Sequence, residues 1–122
     1  MISRVAAVHR SLAAMFEETR AAFREGGEAE AAVAFGRLRA ELERHFEQED
    51  RLYYPAIRAL RPDRAEAVDR VGRAHGQFIR RFELILEQIQ ARKLDEAERS
   101  FEEFAEAFIY HEMREEDLIR SL

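Results

Sequence analysis

The sequence predicts an all-α fold, an up-down-up-down bundle of four helices forming a single domain over residues 1–122. Three observations carry that expectation. Four apolar stripes run along the chain in steps of three and four residues, the spacing that keeps side chains on one face of a helix. The stripes are separated by short segments, which join antiparallel neighbours in a bundle. The composition is 47% apolar and 37% charged, with only five Gly and two Pro, the profile of a water-soluble helical chain.

The first helix is expected over residues 3–25, with its stripe at Ile2, Val5, His9, Leu12, Phe16, Thr19 and Phe23. Gly26-Gly27 ends it, because glycine tolerates the backbone conformation of a helix C-terminus. The second runs over residues 28–60 along Phe35, Leu38, Leu42, His45, Glu49, Leu52 and Ala56. Pro55 has no N–H and is expected to kink or restart this helix. Arg61-Pro62-Asp63 makes the next turn, with Asp63 as N-cap. The third helix covers residues 64–92 along Val68, Val71, His75, Phe78, Phe82, Ile85 and Ile89. Gly72 and Gly76 flank His75, each costing about 1 kcal/mol against Ala, so a bulky neighbour or another backbone is expected beside them. A turn near Lys93-Leu94, with Asp95 as N-cap, leads to a fourth helix ending near Arg120. Its stripe is Phe101, Phe104, Phe108, His111, Glu115, Leu118 and Leu122.

Composition narrows the chemistry. A net charge of -5 argues against nucleic-acid or anionic-membrane partners. Without cysteine, any metal must be held by nitrogen and oxygen ligands. His9 and Arg10 interrupt the apolar N-terminal stretch, which makes a poor signal peptide, and no segment is long enough to span a bilayer. The expected location is the cytoplasm and the expected state a monomer or homodimer. No phosphate-binding glycine loop, zinc-protease signature or nucleophile triad can be placed.

The chain has four histidines, His9, His45, His75 and His111, and each falls on a stripe. His9 precedes His45 by 36 residues, and His75 precedes His111 by the same interval. A shift of 66 residues lays His9 on His75, His45 on His111 and Glu49 on Glu115. The chain therefore reads as two similar halves, each with a lone His and a His-x-x-x-Glu pair. Residues i and i+4 share a helix face, so each pair aims an imidazole and a carboxylate the same way. Counted from the turns, the six residues fall at similar depth, with offsets of roughly 3–6 Å at ideal helical rise. A lone His on a stripe is usually a core residue, but six polar side chains converging on one layer point to a metal site. Two carboxylates and four imidazoles suffice for two ions, with positions left for an oxo or hydroxo bridge and an outside ligand. A closed structural zinc site needs only four ligands.

His9, His45-x-x-x-Glu49, His75 and His111-x-x-x-Glu115 resemble the hemerythrin-like, or HHE cation-binding, domain over the whole chain. The acidic run Glu49-Asp50 followed by Arg51-Leu52-Tyr53-Tyr54-Pro55 is part of the likeness. The resemblance implies a four-helix bundle around a non-haem di-iron centre, with Glu49 and Glu115 bridging and the four His as terminal ligands. Iron is the implied metal, ahead of manganese or zinc. Oxygen-carrying members have a second His four residues after the third-helix ligand, where this chain has Ile79. They usually end on an Asp five residues after the last His, where this chain has Glu116. The departure argues against reversible oxygen carriage and for a more open site that binds or reacts with dioxygen, nitric oxide or peroxide. Tyr110 and Tyr53 or Tyr54 lie close in sequence to these residues; a phenol there could hydrogen-bond a bound oxygen species or replace the missing ligand, but the first reading is tyrosines at the edge of the bundle. The alternatives from other classes are a di-iron oxidoreductase, such as a peroxidase or nitric-oxide-handling repair protein, and a metal-free helical interaction module.

Overall fold

The computed structural model describes the backbone of residues 2–122 and the side chains from Arg10 onward. The fold is all-α. Helix α1 spans Ile2–Ala21, α2 Gly27–Gln48, α3 Tyr54–Leu60, α4 Ala65–Gln90 and α5 Leu94–Arg120. Wide π turns at Ala22–Gly26 and Glu49–Tyr53 join α1 to α2 and α2 to α3, and a 3-10 turn at Pro62–Arg64 precedes α4. Helix α1 packs on α2 and α5, α2 packs on α4, and α4 lies along α5, which closes a ring of long helices.

The boundaries follow from local chemistry. Gly27 has φ +81°, a conformation that costs a residue with a Cβ, so the first connection falls at the Gly-Gly pair. The expected caps differ. Arg64 occupies the N-cap of α4 without a side-chain bond. Asp63 instead lies in the 3-10 turn, 2.9 Å from the Arg61 guanidinium. Helix α5 begins two residues earlier than a cap at Asp95 requires, with Lys93 at its N-cap. Asp95 then lies in the first turn, where its charge complements the helix dipole.

The second connection carries the main correction to the sequence reading. The Tyr54 amide bonds to the Glu49 carbonyl, five residues back. A π turn takes up one residue more than an α turn, which rotates all that follows by roughly 100° relative to a continuous α-helix. The stripe predicted through Leu52 and Ala56 therefore moves. Leu52 is 62% exposed while Tyr54 and Ile57 are buried at 2% and 1%, and Ala56 is exposed. The turn lies immediately before Pro55, which cannot donate the helical bond. The predicted kink thus takes the form of an inserted residue.

The interior forms two apolar clusters. The larger is rich in phenylalanine and runs from Leu12, Phe16 and Phe35 through Phe46, Phe78 and Phe82 to Phe101, Phe104 and Phe108. The smaller holds Tyr54, Ile57, Val68, Val71, Leu118 and Ile119. The stripes predicted for the third and fourth helices are buried from Val68 to Ile89 and from Phe101 to Leu118, and only the terminal Leu122 is exposed. On α2, the π turn after it, α4 and α5, a set of polar residues is buried: His45, Glu49, His75, His111 and Glu115.

The shifted register has a direct test in urea unfolding. Ile57→Ala is expected to cost about 2–5 kcal/mol and Leu52→Ala no more than about 0.5 kcal/mol. The reverse order would restore the unbroken helix.

Candidate metal centre

Three helices bring one polar layer together. Glu49 comes from the first residue of the second π turn, His75 from the middle of α4, and His111 and Glu115 from successive turns of α5. Each of these four offers a ligand atom, and the four atoms lie within 4.8 Å of one another. His45, one turn before Glu49 on α2, has Nε2 3.5 Å from Glu49 Oε2. His111 Nε2 lies 3.9 Å from Glu115 Oε2, so the two His-x-x-x-Glu units repeat one geometry, as the 66-residue shift implies. The predicted His9 lies on α1, but its side chain is outside the described residues. Ile79, at the position where oxygen carriers have a further His, is half-buried and packs against the larger apolar cluster.

Adjacent residues hold the two sides of one imidazole. Glu49 Oε1 is 3.0 Å from His75 Nε2, and Asp50 Oδ1 is 3.1 Å from His75 Nδ1. A carboxylate only accepts, so the contact with Asp50 assigns the ring proton to Nδ1 and leaves the Nε2 lone pair facing the cluster. The ring of Phe46 stacks on His75 with centroids 4.2 Å apart, which leaves it little room to tilt.

Tyr54 belongs to the site and not to the edge of the bundle. Its hydroxyl donates to Glu115 Oε2 at 2.6 Å and lies 3.3 Å from His75 Nε2. The π turn puts it there, since an unbroken helix would have turned it away. Gly72 faces this ring: a Cβ at that position would stand in van der Waals contact, 3.4 Å from Tyr54. The bulky neighbour expected beside Gly72 is this ring. Gly76, by contrast, meets only the Arg80 side chain. Tyr53 is half-buried and Tyr110 exposed, as the sequence reading has them.

A sequence model of the hemerythrin HHE cation binding domain matches residues 1–121. The chain belongs to that family. No curated protein and no solved structure matches it. No described helix is long and apolar enough to cross a membrane.

The donor set of this hemerythrin-family chain fits a metal. Nitrogen and oxygen donors in a dry layer suit an ion of intermediate hardness. Glu49 Oε1 is buried and accepts no hydrogen bond among the described residues, a costly condition for a carboxylate oxygen that a cation would relieve. The electrostatics agree. Burial first, then the neighbouring Glu115 and Asp50, push the Glu49 carboxyl up to about 11. Burial also lowers the His75 pKa, against the pull of Asp50, so the ring stays neutral and able to ligate at neutral pH.

In the metal-free protein Glu49 keeps a proton that the unfolded chain releases. Stability is therefore expected to fall as pH rises from 7 to 9, by up to about 1.4 kcal/mol per pH unit. His75 contributes the opposite slope, confined to pH below about 6.5. Glu49→Gln removes the first slope and stabilises the metal-free protein at pH 9. Urea unfolding at three pH values checks this, and equal slopes in the two proteins would refute it.

Proposed function

We propose that the chain is a non-haem di-iron protein, built as an up-down-up-down four-helix bundle, that binds or reacts with dioxygen, nitric oxide or peroxide. Glu49 and Glu115 would bridge the ions, and His9, His45, His75 and His111 would be the terminal ligands. The observation that carries this reading is the convergence of Glu49, His75, His111 and Glu115, all buried, on a space a few ångströms across. Two glutamates packed this closely in a phenylalanine-rich interior make a poor structural element without a cation between them. That weighs against the metal-free interaction module.

Bound iron would supply redox chemistry toward small oxygen and nitrogen species. The chain's own residues supply the setting. Asp50 orients His75 and fixes its tautomer. The apolar clusters on either side exclude bulk water from the layer. Burial, then Glu49 and Glu115, raise the Tyr54 hydroxyl well above its usual pKa, so it remains a hydrogen-bond donor inside the site. That buried donor favours the second reading, an oxidoreductase acting on peroxide, because a fixed O–H can hydrogen-bond a bound oxygen species where water is scarce.

Metal analysis with visible spectroscopy, before and after azide, tests the proposal. About two irons per chain and a band that shifts on azide are expected. A colourless protein that remains metal-free after anaerobic iron loading would sink the di-iron reading. Glu49→Ala should lose much of the metal, and full retention would remove Glu49 from the ligand set. Tyr54→Phe should retain the iron yet slow any peroxide turnover. Iron-loaded protein that consumes no peroxide would be a binder and not an enzyme.

A further inference from the structure

A cavity of about 190 Å³ opens between α4 and α5. Its wall includes Ala74 and Ala107, whose small side chains leave the two helices apart, and His111 from the polar layer. His111 is the most exposed of the five described site residues, at 6% against 2–4% for the others. Solvent therefore touches the layer most at the residue that this cavity exposes.

The charge around the cavity runs against that of the chain. The whole sequence carries -5, yet Arg70 and Arg114 line the cavity and no carboxylate does. Both arginines are exposed, and neither forms an ion pair among the described residues. Arg20, Arg39 and Arg58 are by contrast tied to Glu102, Glu43 and Asp69. Arg114 lies 5.8 Å over the ring of Tyr110, another residue of the wall, which holds the guanidinium at the mouth. At roughly 30 Å³ per water, the volume admits a triatomic ion with part of its hydration shell.

We propose that the α4–α5 cavity is an access and holding site for a small inorganic anion, of the size of azide, nitrite or hydroperoxide, on its way to His111. This rests on the metal reading for its destination but not for the anion site itself. Arg70 and Arg114 attract the ion, and the alanine-lined gap passes it to the polar layer. A neutral diatomic would gain nothing from the two guanidinium groups, so the cavity favours anionic over neutral ligands.

Azide is the probe, in two experiments. In the metal-free protein, NMR titration should give saturable shifts of the Arg70 and Arg114 side-chain N–H signals and of Ala107. The double variant Arg70→Glu/Arg114→Glu should abolish the Ala107 shift, and the double Lys variant should retain it. In the iron-loaded protein, the azide association rate should fall at least about tenfold in the Glu variant, the scale of lost electrostatic steering. Ala107→Phe should slow it as well, with the final spectrum that of the parent and nitric oxide association insensitive to the charge reversal. Absence of saturable shifts would overturn the anion site. Unchanged azide rates in a protein that does bind iron and azide would overturn the access route. A chain that takes up no iron would defeat the di-iron proposal alone, with the titration still deciding the cavity.

Discussion

Everything in this structure is arranged around the cost of placing two glutamates in a core of phenylalanine. Glu49 and Glu115 are each only 2% exposed, and an unpaired carboxylate in such surroundings is strongly unfavourable. The chain confines that cost to one layer and surrounds it with groups that share it. His45 and His111 stand one turn before the two acids, the Tyr54 hydroxyl donates to Glu115, and His75 lies against Glu49. The phenylalanine cluster on one side and the Tyr54–Ile119 cluster on the other supply stability that the polar layer does not.

The two halves of the chain repeat in sequence, but the site they build is lopsided. Helix α5 runs unbroken through His111 and Glu115, whereas α2 gives way to a π turn at Glu49. The position 66 residues after Tyr54 is Arg120, which is exposed and does not enter the layer. One inserted residue thus adds a buried phenol to one half alone. Two ions in such a site would meet different surroundings.

The difference also explains what could and could not be read from the chain. The stripes on α4 and α5 are buried as the period predicts, because nothing interrupts their backbone. His45, Glu49, His75, His111 and Glu115 were legible for the same reason: apolar spacing continues on both sides of them. Tyr54 was not, since the pattern through Leu52 and Ala56 remains plausible until the turn adds its residue, and a period of 3.6 carries no mark of a local five-residue bond. Pro55 and Gly72 were the available signals. The proline marks where the helix has to deform, and the glycine lies against the ring that the deformation brings in. The caps at Asp63 and Asp95 failed on a smaller scale, because terminal residues depend on how the chain leaves the preceding helix and not on residue type alone.

The grip of Glu49 and Asp50 on opposite nitrogens of His75 has one more consequence. Consecutive residues of a regular helix diverge by about 100° and cannot reach two edges of the same ring. On the π turn they do, at 3.0 and 3.1 Å, with Phe46 flat against the ring face. An imidazole bonded at one edge, contacted at the other and stacked on one face has its orientation set by the fold. A ring held in this way would pay little further ordering cost on ligating a cation.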